Sequence, residues 1–354
     1  MSQNSLRALL KAAKRRDVSP LLPKLELWLT SAEADTHWDV DWGLKDHWHP
    51  SQVSKGICPR LEVIQSVVGA PVVEGSRVEA GLLRIFKLGD KIHEMYQQDI
   101  LGPMGLLYGM WVDLKSVTHV WAWKDSKGQR LDGEEEAIEA AKHGWLIVRS
   151  PEEGVEPFQV GFVMGTMPST EELLPKLKRW RYLEYALYDP QTGMAGHCDG
   201  LIVMPDGALA ILEIKSINTY GFDARKEARD DHLRQCLLYA HAARRQPHPE
   251  DPKLPHLLVN PRIGHVVFLY VNKNNSLEKE FWVEFDGDVI RPLLADMEMV
   301  NESKELKTLP PRWKACASNQ TKTALYCPHC DACFAAVDGA KGYEQIAKRA
   351  TAKE

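Results

Sequence analysis

The sequence predicts an α/β fold in which helices flank a central mixed sheet and cysteines clamp a C-terminal segment. Short runs rich in valine, isoleucine and aromatic residues, which are typical of strands, alternate with longer stretches of helical apolar spacing. Two runs, 199–204 and 208–214, flank a Pro-Asp-Gly turn and are predicted to form a hairpin. Four cysteines lie between residues 316 and 333. These three observations carry the prediction.

The alternation of helices and strands runs through most of the chain. Helical spacing is found at 78–100, 169–178, 223–245 and 289–306. Besides the hairpin, strands are predicted at 111–123, 145–149, 182–188, 264–272 and 280–285. Interleaved elements of this kind are typical of sheets covered by helices.

Composition excludes several classes of protein. The chain has 354 residues, of which 44% are hydrophobic and 26% are charged, as in an ordinary globular protein. No apolar run reaches the roughly 18 residues of a membrane span, and the first residues lack the apolar core of a secretion signal. We therefore expect a cytoplasmic protein with no membrane partner. The net charge of -5 gives no support for a nucleic-acid partner, although a local basic groove can lie on an acidic protein.

The hairpin brings acidic and basic side chains together. With the turn centred on Asp206, Asp199 faces Glu213, and opposed residues have Cβ atoms about 4.5–5.5 Å apart. Glu213 and Lys215 are two residues apart and share one face of the strand. Two carboxylates, with the carbonyl oxygen of Ile214, provide ligands that suit Mg²⁺, and an amine beside such a site suits phosphodiester hydrolysis.

Two alternatives to this site are open. The first is a surface ion pair between Glu213 and Lys215, but the strand before Glu213 is apolar, and a buried carboxylate needs a partner. The second replaces Asp199 with Asp206, which also precedes Glu213. Because Pro-Asp-Gly is turn chemistry, we expect Asp206 at the hairpin tip, away from Glu213.

Other polar residues are weak candidates for the site individually and become informative only through their order along the chain. His93 lies in the predicted helix 78–100, and Gln235 and Tyr239 share a helix face at positions i and i+4. Basic residues beside them are candidates for phosphate contacts or for a solvated helix face. They are Arg225, Lys226, Arg229 and Arg234.

The ordered set resembles the RecB-like branch of the PD-(D/E)XK (restriction-endonuclease-like) nuclease superfamily. The motifs of that branch match Gly89-x-x-x-His93, Gly196-x-x-Asp199, Glu213-x-Lys215 and Gln235-x-x-x-Tyr239. One departure is Cys198, which stands where relatives carry proline. The resemblance implies a nuclease core at 55–310, after a helical, tryptophan-rich extension at 1–54 and before a cysteine segment and tail at 311–354.

The resemblance also implies roles and an activity. His93, Asp199, Glu213 and the Ile214 carbonyl would bind Mg²⁺ or Mn²⁺, and Lys215 would serve catalysis. Gln235 and Tyr239 would orient the site or the DNA, and Glu184 lies where many relatives carry a strand acid. The expected activity is that of a DNA exonuclease in recombination, repair or phage DNA processing. The alternatives are a structure-specific endonuclease and a catalytically silent DNA-binding scaffold.

No helicase phosphate loop is present, so we expect any helicase, recombinase or annealing partner to be a separate protein.

The cysteines resemble those of the iron–sulfur subset, which includes AddB and the CRISPR-associated adaptation exonucleases. The resemblance implies a [4Fe-4S] cluster on Cys58, Cys316, Cys327 and Cys333, with Cys330 as the alternate, although the spacing departs from the family order. The alternative is a structural Zn²⁺ on the four C-terminal cysteines, with or without His329. Cys198 and Cys236 are predicted to be buried apolar residues.

Overall fold

The computed structural model describes residues 47–69, 80–119, 145–148, 158–245 and 262–351. Most of the predicted N-terminal extension therefore lies outside the described residues. The described part is an α/β structure whose central sheet is flanked by helices, as the sequence predicts. The domain boundaries at residues 54 and 310 remain a prediction. Within the described residues, no helix is long and apolar enough to cross a membrane.

Among the described residues, the central sheet has eight strands and is mixed. Its strands are β1 (Leu107–His119), β2 (Trp145–Val148), β3 (Phe158–Thr166), β4 (Trp180–Leu183), β7 (Gly200–Val203), β8 (Leu209–Ile217), β9 (Ile263–Asn272) and β10 (Glu278–Glu284). The order is β10-β9-β8-β7-β1-β3-β2, and β4 pairs with β1 beside β7. Only β8 and β9 run parallel among these pairs, and the connection between them includes a helix, as parallel neighbours require.

The predicted single strand at 182–188 is wrong, because the chain changes sheets at Glu184. β4 ends at Leu183, and the next strand, β5 (Tyr185–Asp189), pairs with β6 (Met194–Cys198) in a separate two-stranded sheet. β4 alternates between buried and more exposed residues, whereas β5 is buried on both faces except at Tyr188. The single apolar run at 182–188 thus contributes to two sheets that are packed differently. The strands β3 and β6 were not predicted.

The helix predicted at 223–245 is confirmed from Asp230 onward, but residues 224–229 are not helical and a separate short helix precedes them. Asn218 caps α5 (Thr219–Asp223), and the Lys279 amine then binds the carbonyl oxygens of Phe222 at 2.6 Å and Arg225 at 2.9 Å. These bonds satisfy carbonyls at a helix end, so the chain leaves helical geometry there. It resumes as α6 (Asp230–Arg244), whose first turn carries two acidic residues that favour a helix N-terminus.

The remaining helices lie around the sheet. Their bounds are α1 (Pro50–Val53), α2 (Pro59–Val68), α3 (Ala80–Glu94), α4 (Leu173–Arg179), α7 (Arg291–Glu305), α8 (Lys322–Leu325), α9 (Cys330–Ala335) and α10 (Gly339–Thr351). α2 packs against both α7 and α10, and α2 and α10 were not predicted. The strand predicted from residue 111 begins at 107 and is described to 119, and the helix predicted at 78–100 is described from Ala80.

The helix α3 ends in a π-helical segment, Met95–Leu101. π-helical turns inside α-helices are rare and are frequent at functional sites. α3 also crosses close to β8, since a Cβ atom at Gly89 would lie 3.5 Å from Ser216 Oγ. Gly89 thus marks the close approach of α3 to β8, one turn before His93.

Candidate metal centre

The hairpin has the predicted register. Gly200 pairs with Leu212 across β7 and β8, which sets Asp199 opposite Glu213 just beyond the end of the pairing. Asp199 Oδ2 accepts a hydrogen bond of 2.5 Å from the backbone N–H of Ile214. Asp206 lies at the hairpin tip, where it accepts from the Ala208 N–H, so the structure places it away from this site as expected.

Three candidate metal ligands, one of them Asp199, converge at this end of the hairpin. His93 Nδ1 lies 3.3 Å from Asp199 Oδ1, and one ligand atom from each of His93, Glu184 and Asp199 lies within 4.8 Å of the other two. His93 comes from α3, Glu184 from the break between β4 and β5, and Asp199 from the start of β7. The break between the two strands therefore places the Glu184 carboxylate at the site, although Glu184 is not part of the four sequence motifs.

Glu213 is directed to a second group of residues. It forms an ion pair with Lys215 and accepts a 3.1 Å hydrogen bond from Gln235 Nε2. The same amide nitrogen lies 3.2 Å from the Tyr239 hydroxyl, and a Cβ at Gly196 would lie 3.4 Å from the Tyr239 ring. The four motifs of the sequence thus meet in space, with Glu213 turned to Lys215 rather than to His93.

Crowded carboxylates set the electrostatics of the site. Burial and the charge of Asp199 raise the pKa of Glu213 to about 7, and the same two causes raise the pKa of Glu184 to about 7. The residue Glu184 is exposed to solvent, although protein atoms surround its carboxylate group. Burial alone would lower the pKa values of His93 and Lys215, but the neighbouring carboxylates raise both.

This donor set fits a hard divalent cation. One imidazole nitrogen and carboxylate oxygens are ligands that Mg²⁺ and Mn²⁺ accept, and the carboxylates repel one another without a cation between them. Burial is the larger cause of the elevated pKa values of Glu184 and Glu213, and repulsion by the Asp199 charge adds to it. His93, Glu184 and Asp199 form the tightest group, and Glu213 and the Ile214 carbonyl lie on the adjoining strand.

Two adjacent glutamines that the sequence did not single out support the site. Gln97 is buried and donates to the Asp199 carbonyl oxygen at 2.8 Å and to Glu184 Oε1 at 3.4 Å. Gln98 bonds the Trp180 carbonyl and accepts from the Tyr182 N–H at 2.9 Å. Both residues lie in the π-helical segment. Their signal in the sequence is their position one turn after His93.

Two of the four basic residues predicted near Gln235 and Tyr239 contact other groups of the protein. Arg229 forms an ion pair with Asp231, and Arg234 Nε donates to the Ser54 carbonyl at 2.8 Å. Their interpretation as a solvated helix face or as phosphate contacts stays a prediction. Cys198 and Cys236 are fully buried, as predicted.

The remaining five cysteines line one apolar cavity. Cys58 comes from the start of α2, and the others come from the C-terminal segment; they are Cys316, Cys327, Cys330 and Cys333. Burial raises the pKa of Cys58, and the charges of Cys316, Cys333 and Cys327 raise it further. All five are free thiols. Thiols from distant parts of the chain thus face one space.

A buried arginine holds the C-terminal segment against α2. The Arg60 side chain is fully buried and donates to the carbonyl oxygens of Pro310 at 2.6 Å, Cys333 at 3.0 Å and Ala336 at 2.6 Å. It also forms an ion pair of 2.8 Å with Asp338. Burial raises the pKa of the Cys333 thiol, and the charge of Arg60 opposes that effect.

Comparisons with known proteins add little to this geometry. No protein-family model matches the chain, and no curated protein matches it. A solved structure that is similar to it is the "Crystal Structure of LHK-Exo in complex with dAMP", with 12% sequence identity and a TM-score of 0.28. That similarity covers 75% of this chain and 90% of the other. Because the TM-score is low, it carries no argument, and the family remains a prediction.

Proposed function

We propose that this protein is a metal-dependent DNA nuclease. The observation that carries the proposal is the convergence of His93, Glu184 and Asp199 within 4.8 Å, beside the Glu213–Lys215 pair. The ordered motifs that resemble RecB-like nucleases favour DNA as the substrate. Exonuclease action at DNA ends, in recombination, repair or phage DNA processing, is our first choice of mode.

The residues of the site have separable tasks. His93, Glu184, Asp199 and Glu213, with the Ile214 carbonyl, would hold Mg²⁺ or Mn²⁺. When bound, such a cation supplies a Lewis acid for the phosphate and lowers the pKa of a bound water. The Ile214 N–H fixes the orientation of the Asp199 carboxylate, and Gln235 fixes that of Glu213. Lys215 stays protonated because its pKa is raised, so it acts as a cation that stabilises charge on the phosphate.

The cysteine cavity supports a second bound group. We propose a [4Fe-4S] cluster on Cys58, Cys316, Cys327 and Cys333, with Cys330 as the alternate and a structural Zn²⁺ as the competing occupant. Thiols in an apolar cavity suit both. Because one ligand precedes the sheet and the others follow it, a cluster here would join distant parts of the chain.

The proposal leaves a defined cellular context to be tested. We expect a cytoplasmic protein that acts on DNA with a separate helicase, recombinase or annealing protein. The competing functions are a structure-specific endonuclease and a catalytically silent DNA-binding scaffold. The intact set of Asp199, Glu213 and Lys215 argues against the scaffold.

A nuclease assay with anaerobically purified protein tests the proposal. Linear duplex, single-stranded and closed-circular DNA are incubated with Mn²⁺, Mg²⁺ or EDTA. Lys215→Ala serves as the inactive variant, and Asp206→Asn serves as the matched control because Asp206 lies at the hairpin tip. We expect Lys215→Ala to lose about 10²–10³-fold in rate and Asp206→Asn to keep the wild-type rate.

The substrates separate the competing functions. Metal-dependent loss of linear DNA that spares closed circles supports an exonuclease. Cleavage of the circles supports the endonuclease. If folded, metal-loaded protein binds DNA but cleaves none of the substrates, and Lys215→Ala behaves like the wild type, the scaffold replaces the proposed nuclease.

A further inference from the structure

The segment around the cysteine cavity has a charge unlike that of the whole protein. The protein carries a net charge of -5, yet residues 306–330 contain four basic residues and no acidic one. The four are Lys307, Arg312, Lys314 and Lys322. A local basic surface on an acidic protein is the electrostatic signature of a polyanion contact, because total charge does not reveal it.

The same segment exposes aromatic side chains. Residues 311–326, which we call the basic strip, are almost all exposed, and Tyr326 and Trp313 have exposed fractions of 81% and 40%. A phenol ring that is this exposed makes little contribution to a core. Aromatic rings interleaved with basic residues are the features with which proteins bind single-stranded nucleic acid, because bases stack on the rings while phosphates meet the cations.

The strip is folded around the cysteine cavity rather than spread along the surface. Four residues of the strip line the cavity: Trp313, Cys316, Ala324 and Cys327. Lys314 and Lys322 lie between them in the sequence, so the chain holds both near the same cavity. Arg312 lies over the Phe334 ring, whose residue also lines the cavity, at 4.9 Å from the ring centroid. Thr321 caps α8, which begins at Lys322. The positions of the three cations are therefore set by the fold.

We infer that the basic strip binds a single strand of DNA, with Arg312, Lys314 and Lys322 at phosphates and Tyr326 stacked on a base. This inference rests on the proposed function in one respect, that the ligand is DNA. It adds a contact surface built from residues that take no part in the metal centre.

Binding in EDTA tests the inference without cleavage. The probe is a fluorescein-labelled oligothymidylate, compared with a duplex of equal length, and the readout is anisotropy across a range of salt concentrations. The strip variant is Arg312→Gln/Lys314→Gln/Lys322→Gln. The matched control is Lys115→Gln/Arg262→Gln/Arg291→Gln, whose three cations each have an acidic residue beside them: Asp113, Asp206 and Asp288.

We expect the strip variant to lose about tenfold or more in single-strand affinity, and its salt slope to fall by about 2, since each phosphate contact on a single strand contributes roughly 0.7. The control triple is expected to bind like the wild type. Tyr326→Ala should weaken binding by about 5-fold to 100-fold, and Tyr326→Phe should restore it, because stacking needs only the ring. Thermal melting confirms that each variant is folded.

The inference is overturned if the strip variant keeps wild-type affinity and salt slope, or if the control triple loses as much. It is also overturned if only duplex binding falls. Failure of the proposed function is a different result, because strip-dependent binding without metal-dependent cleavage would leave the contact surface in place and remove the nuclease.

Discussion

The metal centre and the cysteine cavity differ in polarity, because the first gathers charged groups and the second is apolar. The metal centre gathers carboxylates, and burial together with the charge of Asp199 raises the pKa values of Glu184 and Glu213. The cysteine cavity is apolar and lies beside the buried Arg60, whose two terminal nitrogens donate to carbonyl oxygens and to Asp338. The first site is therefore expected to lower stability until a cation binds, whereas the second is expected to raise it.

This difference indicates that the residues needed for activity and the residues needed for stability lie in separate regions of the chain. The metal centre is set by the hairpin, α3 and α6, and its contacts orient reactive groups. The cysteine cavity joins α2 to the C-terminal segment, and its contacts span about 250 to 280 residues of sequence. Variants in the two regions should thus affect activity and stability in opposite proportions.

The largest expected effect comes from the cysteines that hold a bound group. Cys327→Ser should lose most of the bound iron or zinc and much of the stability, because a metal site that joins distant segments contributes directly to folding. Cys330→Ser is the matched control and should keep both. Metal content per protomer and chemical denaturation measure the outcome. Loss of metal in Cys330→Ser, with retention in Cys58→Ser, would favour the zinc set of the four C-terminal cysteines instead.

Arg60 gives the next effect and tests whether the clamp works through folding alone. Arg60→Ala should lower the free energy of unfolding by about 3–5 kcal/mol, because three buried carbonyl oxygens and one carboxylate lose their partner. Asp338→Asn should cost far less, since the Asp338 side chain is 60% exposed. Nuclease rate per folded molecule should be unchanged in both. A loss of rate in fully folded Arg60→Ala would contradict the separation of the two regions.

The metal centre should behave in the reverse way. Glu213→Gln should abolish cleavage yet stabilise the metal-free protein by about 1–3 kcal/mol at pH 8, because the folded state raises the pKa of Glu213 from 4.5 to about 7. Between those two values the folded protein holds more protons than the unfolded chain, so stability falls as pH rises and the gain from glutamine grows. Denaturation at pH 5 and pH 8 in EDTA measures it. Equal stability at pH 8 would show that Lys215 fully offsets the burial of Glu213.

The sequence predicted the hairpin and its motif residues because each follows from local rules. Pro205-Asp206-Gly207 fixes the register, and the register alone places Asp199 opposite Glu213. Glu184 and Gln97 were harder to assign, because their roles depend on a change of sheet and on a π-helical turn that no apolar period indicates. Arg60 was missed for a similar reason, since its partners lie some 250 residues or more away. Local chemistry can be read from the sequence, whereas contacts made by the fold cannot.

The smallest expected effect comes from His232, on α6 near Lys215 of the metal centre. Its Nδ1 lies 2.8 Å from the Tyr270 hydroxyl and the two rings stack, while burial, more than the charge of Lys215, lowers the pKa of His232 to about 4. Between about 4 and 6.5 the unfolded chain binds the extra proton, so stability falls as pH drops through that window. His232→Gln should flatten this part of the curve by less than about 2 kcal/mol, measured by denaturation at pH 7.5, 6 and 5. An unchanged slope would show that other groups, such as His241, whose pKa is also lowered, control the acid limb.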